Sequence, residues 1–157
     1  MNVYLIGMMG SGKTVTAKAL AKLLKLSFVD LDQKIERKTK KKIAEIFSEK
    51  GAPYFREEES RVLLEVTGSE GQVVATGGGA ILANENLRAM KDTGKLVYLD
   101  TSFEWLWKRV EGNTDRPLLH GDNPKDKLRS IYESRRPLYT NAADFCVNTD
   151  GRTAEEV

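Results

Sequence analysis

Apolar positions along this chain follow two alternating spacings. Short apolar runs stand at residues 3–6, 28–29, 73–75, 96–99 and 145–147. Runs of that length, bounded by polar residues, suit strands whose two faces are both covered. Between them apolar residues recur at helical spacing, as in Ala17, Leu20, Ala21 and Leu24. Strand and helix in alternation predict an α/β fold with a parallel sheet between two helical layers.

Local signals set the expected element ends. Thr101 with Glu104 reads as a capping box opening a helix over 102–110. Asn123-Pro124 reads as the cap and first turn of a helix over 125–136. Gly51 and Gly94 fall where helix C-caps are expected. Thr153 with Glu156 is a second capping box, and the pattern reaches only the first turn of the helix it would open. No repeat, low-complexity tract or linker interrupts residues 1–157, which read as one domain. Two segments elaborate the alternation. Residues 33–70 form a helical insert between the second and third strands. Residues 112–124, rich in glycine, proline and polar side chains, have the composition of a mobile lid.

Directly after the first apolar run comes Gly7-Met8-Met9-Gly10-Ser11-Gly12-Lys13-Thr14, followed at once by a helical pattern. It matches G-x-x-x-x-G-K-[ST], the phosphate-binding loop. Strand, loop and helix in that order let backbone N–H groups and the positive helix end surround a polyphosphate. Lys13 then reaches the outer phosphates and the Thr14 hydroxyl can ligate Mg²⁺. A nucleoside triphosphate is the expected ligand.

Ligands of open parallel sheets bind beyond the carboxyl ends of the strands. After the second strand stand Asp30 and Asp32, which on extended chain point the same way, one towards a metal's water and one towards a substrate hydroxyl. After the third stand Gly77, Gly78 and Gly79, whose lack of side chains permits close approach to a ligand. Arg56, Arg116 and Arg135 offer guanidinium groups for paired hydrogen bonds to carboxylate or phosphate. Arg116, in the expected lid, could close over a γ-phosphate.

These pieces resemble shikimate kinase over almost the whole chain. The resemblance rests on the phosphate loop, Phe28-Val29-Asp30-Leu31-Asp32, Phe55-Arg56, the triple glycine, Arg116-Pro117-Leu118-Leu119, and Arg135-Arg136-Pro137-Leu138-Tyr139. It implies a P-loop, nucleoside-monophosphate-kinase-like fold with a five-stranded parallel sheet. It also implies ATP- and Mg²⁺-dependent phosphorylation of the shikimate 3-hydroxyl, a step towards chorismate and aromatic amino acids. By the same resemblance Gly10, Ser11, Gly12, Lys13, Thr14 and Val15 contact the nucleotide, Lys13 holding the β- and γ-phosphates. Thr14 and Asp30 serve Mg²⁺, Asp30 through water. Asp32 meets the substrate hydroxyls and orients or deprotonates the nucleophile. Arg56 and Arg135 clamp the carboxylate, with the backbone of Gly77, Gly78 and Gly79 beside them. Arg116 touches both substrate and moving phosphoryl group, and Arg109 and Arg152 flank the adenine. Family members usually carry a complete C-terminal helix, of which only the start is visible here. A gluconate or other polyol kinase shares the loop and lid, so Asp32, Arg56 and Arg135 are the discriminating residues. A guanine-specific switch would call for an N-K-x-D segment, and the chain has none.

Composition narrows the partners. With 40% apolar and 31% charged residues the chain has the make-up of an ordinary globule. Its net charge of +2 gives no reason to expect nucleic acid or a membrane surface. No apolar stretch nears the ~20 residues of a membrane span. Cys146 is the lone cysteine, which excludes an internal disulfide and fits a reducing cytoplasm. The first strand starts at the N-terminus with no room for a signal peptide, and a cytoplasmic monomer is expected. The basic run of Lys34, Arg37, Lys38, Lys40, Lys41 and Lys42 reads as a solvated helix face. Glu57, Glu58 and Glu59 read as first-turn helix charge, with Glu59 placed to brace Arg56. His120 makes no metal site, Trp105 and Trp107 face different ways on their helix, and Cys146 reads as a buried strand residue.

Overall fold

The computed structural model describes residues 1–113 and 115–157; Thr114, inside the expected lid, lies outside the described residues. Each apolar run forms a strand: β1 (Asn2–Ile6), β2 (Ser27–Asp30), β3 (Gln72–Ala75), β4 (Gly94–Asp100) and β5 (Phe145–Asn148). All pair in parallel, in the order β2-β3-β1-β4-β5. Alternate side chains leave opposite faces of a strand, and the sheet divides its residues accordingly. Leu5, Val73, Ala75 and Leu99 pack with Ala17 and Ala21 of α1 (Lys13–Leu24) on one face. Tyr4, Ile6, Val74, Leu96 and Tyr98 enter the larger core on the other. That second face is covered chiefly by α4 (Ala52–Thr67), α5 (Asn84–Thr93), α6 (Phe103–Val110) and α7 (Pro124–Ala142).

The expected insert is helical throughout, with α2 (Leu31–Thr39) and α3 (Ile43–Lys50) leading into α4. Gly51 joins α3 to α4 at φ 85°, ending one helix and opening the next. Gly94 does something different. It begins β4 in extended backbone, and a Cβ there would stand 2.1 Å from the Asn2 carbonyl oxygen. Close packing of β1 against β4 sets that position, not a left-handed cap.

Several local expectations give way to tertiary contacts. Thr101 does not cap α6: it is buried and its hydroxyl pairs with Thr149, while Asp150 Oδ1 accepts from the Ser102 N–H at 2.9 Å. Asn123 precedes α7 at φ 54° without a side-chain cap, and α7 runs on through Pro137 to Ala142. Burial of Arg135, Tyr139 and Ala142 on one face offsets the hydrogen bond that a proline removes. Cys146 is exposed, as is Phe145 beside it, because β5 is an edge strand. The last capping box does form, Thr153 N–H bonding Glu156 Oε2 at 2.8 Å and Glu156 N–H bonding Thr153 Oγ1 at 3.3 Å.

The two ends of the sheet have different work. At the amino end a buried network joins Asn2 to the Tyr4 hydroxyl, the Ser69 carbonyl and the Gln72 N–H. At the carboxyl end β3 and β4 flank β1, and the chain leaves the centre in opposite directions. The crevice this creates is where open α/β sheets take ligands.

Candidate functional site

The phosphate loop fills that crevice. Gly10 takes φ 80°, and a Cβ on it would meet Val110 at 2.9 Å, so an L side chain is excluded twice over. The Lys13 ammonium donates to the carbonyls of Gly7 and Met8, both at 2.8 Å. Burial brings its pKa down to about 8, while Asp32 pulls upward. Thr14 Oγ1 donates to Asp30 Oδ2 at 2.7 Å, and Asp30 Oδ1 caps α2 by accepting from Gln33 N–H at 3.0 Å. Held at both oxygens, the Asp30 carboxylate has one orientation. Ser11 Oγ is buried within the loop without a protein partner among the described residues.

Beside the loop lies a cleft of about 480 Å³. Asp32, Arg56, Arg116, Arg135 and the three glycines all line it. Asp32 reaches it from the first turn of α2, not from extended chain as its spacing from Asp30 suggested. Its Oδ1 is buried without a partner among the described residues. Burial, then the nearby Asp30, push its carboxyl pKa up, against the pull of Lys13 and Arg116. Arg56 is braced as expected, Nη1 donating to Glu59 Oε1 at 2.8 Å. Glu59 is fully buried, and burial raises its carboxyl pKa against the pull of Arg56. Arg135 is buried on α7.

The triple glycine makes this crowding possible. A Cβ on Gly77 would stand 2.5 Å from Glu59 Oε2 and 3.2 Å from Asp32 Oδ1. On Gly78 it would touch Arg135 Nη1 at 3.4 Å, with Met9 N and the Gly7 carbonyl oxygen at 3.6 Å. On Gly79 it would stand 2.4 Å from both terminal nitrogens of Arg56. Each glycine therefore makes room for different cleft side chains, and Gly78 also touches the phosphate loop.

Gly79 sits at φ −96°, ψ 4°, which alanine also adopts, so the cost of Gly79→Ala falls first on Arg56, whose guanidinium holds the nearest atoms. A half-buried arginine can swing aside. We expect a lowered thermal midpoint, because the buried Glu59 loses its contact with Arg56, together with a rise in KM for the anionic substrate of ~10–100-fold, the worth of a hydrogen bond to a charged group. A lower midpoint with unchanged KM would contradict this assignment.

On the other flank of the loop a cleft of about 290 Å³ is lined by Ser11, Gly12, Val15, Arg109 and Arg152. Arg109 Nη1 also donates to the Gly10 carbonyl at 2.9 Å. Ser11, Gly12, Val15, Arg109 and Arg152 thus meet on one side of the loop, while Arg116 lies with Asp32, Arg56 and Arg135 in the larger cleft. Arg116 precedes a 3-10 turn, Pro117–Leu119, that seats Leu119 in the core. Its Nε is buried without a partner among the described residues.

Sequence reasoning passed over the cleft's aromatic wall, where Phe47 and Phe55 rings lie 4.8 Å apart, and gave Tyr139 no task. Phe55-Arg56 and the Arg135-to-Tyr139 stretch were visible as unusual strings. Nothing in them told which side chains face inward.

Comparison with known proteins bears on the family and the fold. The shikimate kinase family model matches residues 9–157. The shikimate kinase of Thermodesulfovibrio yellowstonii is 42% identical over 156 residues, covering 99% of this chain and 90% of that protein. A shikimate kinase from Acinetobacter baumannii, solved in complex with shikimate, superposes with TM-score 0.95 at 42% identity, covering 98% of this chain and 86% of that one. A gluconokinase from Sinorhizobium meliloti, 18% identical at TM-score 0.61 over 99% of this chain and 86% of that one, shares the fold alone. By sequence and fold, this chain belongs to the shikimate kinase family.

Proposed function

We propose that this enzyme transfers the γ-phosphoryl group of ATP to the 3-hydroxyl of shikimate, giving shikimate 3-phosphate and ADP. The observation that carries the reading is adjacency. A cleft lined by the Asp32 carboxylate, the Arg56–Glu59 pair, Arg116 and Arg135 reaches the phosphate loop at Met9, beside Gly78. A small anionic polyol needs both kinds of group, guanidinium for its carboxylate and carboxylate for its hydroxyls.

Arg56 and Arg135 bind the substrate carboxylate, and Asp32 accepts the hydroxyl proton as that oxygen bonds to the γ-phosphorus. The bond from phosphorus to the β,γ-bridging oxygen breaks, and the electron pair leaves with ADP. Lys13 and Arg116 neutralise charge on the phosphoryl oxygens, the main demand of this reaction. Closure of the 112–124 segment keeps water from competing as nucleophile. Val15, Arg109 and Arg152 border the nucleoside.

Thr14 and Asp30 present a hydroxyl and a fixed carboxylate oxygen, hard donors that suit Mg²⁺. Among the described residues no group of three or more His, Cys, Asp or Glu could hold a metal ion, so Thr14 and Asp30 would share such an ion with the nucleotide's phosphates. Held there, Mg²⁺ would supply positive charge against the negative charge that develops on the phosphates. We further infer a cytoplasmic monomer: the lone cysteine suits a reducing compartment, and the apolar side chains are taken up by the cores on the two faces of the sheet. Among the described residues no helix is long and apolar enough to cross a membrane.

ADP release measured over shikimate, quinate, gluconate and nucleoside monophosphates tests the reading. Turnover of gluconate with none of shikimate would overturn it. Nucleotide binding carries its own prediction. An anion in the loop favours the Lys13 cation, whose pKa is about 8 without one. At pH 9 calorimetry in buffers of differing ionisation enthalpy is expected to show uptake of close to one proton per nucleotide. Affinity should fall by up to about tenfold per pH unit above 8. Zero uptake at pH 9 would contradict it.

A further inference from the structure

Tyr139 takes no part in the chemistry above, yet its hydroxyl stands where three parts of the site meet. It lies one turn beyond Arg135 on α7, so the two side chains share a helix face. The ring is fully buried and stacks on Tyr98 of β4, with centroids 5.2 Å apart and an interplanar angle of 24°. The hydroxyl donates to the Gly78 carbonyl at 2.5 Å and lies 4.0 Å from Met8 Sδ in the phosphate loop. A phenylalanine would fill the same space, so packing alone does not ask for that oxygen.

The carbonyl and the following N–H of a trans peptide point in opposite directions. Tyr139 holds the Gly78 carbonyl from the core side, so the Gly79 N–H turns the other way, towards the cleft that Gly79 lines. Flanked by two glycines, this peptide has no side chains to restrict its rotation. The Ala80 N–H closes a turn around it by bonding the Gly77 carbonyl at 3.1 Å, but the central peptide of a glycine turn can face either way, and the Tyr139 bond selects one.

We propose that Tyr139 is a positioning residue: its hydroxyl locks the Gly78–Gly79 peptide so that the Gly79 N–H faces the anionic substrate in register with Arg135. The identity of that substrate rests on the shikimate kinase reading; the orientation of the peptide does not.

Tyr139→Phe keeps the stacked ring and removes the hydroxyl, with its bond to the Gly78 carbonyl and its contact with Arg135. A Gly79 amide shift on shikimate addition that shrinks in the variant separates the peptide's part from the arginine's. The KM for shikimate is expected to rise about tenfold, the value of one well-placed hydrogen bond, while calorimetric affinity for MgATP stays within about twofold. Tyr98→Phe is the control, because its hydroxyl bonds Asp100 at 3.2 Å and does not touch the glycines. It should leave the shikimate KM unmoved. The proposal is overturned if Tyr139→Phe has wild-type KM, if KM and MgATP affinity worsen together, or if Tyr98→Phe matches it. A second measurement needs no variant. The Gly79 amide resonance of the wild-type protein should shift on shikimate addition, and an unshifted resonance at saturation overturns the proposal. Wild-type enzyme inactive on shikimate would remove the parent reading and this one together. An active wild type with an indifferent Tyr139→Phe removes this one alone.

Discussion

Lys13→Ala is expected to lower kcat by about 10²–10³-fold or more, the cost of losing one preorganised charged donor to the transferring group. The two carbonyl contacts fix where the ammonium stands, so little reorganisation is needed as charge builds on the phosphoryl oxygens. Unfolding does not account for the loss. A lysine whose folded pKa is about 8 against 10.5 carries its proton at a cost in the native state. That cost is borne in full below pH 8, and stability rises from pH 8 to 10.5 as the native state sheds the proton first. Removing the side chain relieves the cost, so the thermal midpoint at pH 7 should not drop. ADP release at saturating substrates, read beside a melting curve, checks both statements. A variant with kcat within about threefold of wild type would refute the role.

Asp32→Asn should lower kcat by about 10²–10⁴-fold, the usual contribution of a positioned general base. Asparagine keeps the shape and can still hydrogen-bond a hydroxyl, so KM for shikimate should change much less than kcat. The pH profile is the sharper readout. The base works ionised, and burial with Asp30 beside it raises its pKa. In the wild type the acid limb of kcat/KM should therefore lie above the ordinary carboxylate range, falling about tenfold per pH unit below the pKa. Asparagine cannot titrate, so that limb should vanish in the variant. A wild-type limb at the ordinary aspartate value, or one that persists in Asp32→Asn, would assign the base elsewhere.

The strands were legible because a parallel sheet covered on both faces leaves continuous apolar runs, and all five runs sit inside observed strands. The phosphate loop was legible because its chemistry is local: glycines, lysine and threonine act at fixed spacing on one turn of chain. Caps were read less well. Thr101 has the sequence of a helix cap, but burial beside Thr149 gave its hydroxyl a different partner. Cys146 looked like core because its neighbours are apolar, and only the strand order reveals β5 as an edge. Asp30 and Asp32 belonged together, though for another reason than the one read. One ends a strand and the other begins a helix, and the turn between them brings both near Lys13.

By itself the sequence determined the α/β alternation, the anion-binding loop and the chemical types available for the site, since each depends on residues close together in the chain. The tertiary structure alone decided which distant residues became neighbours. Arg56 comes to lie against Gly79, Arg135 against Gly78, and the Tyr139 hydroxyl on a carbonyl 61 positions away. The physical reason is that these approaches are set by how α4 and α7 pack on the sheet, a balance of burial over the whole core that no local spacing encodes.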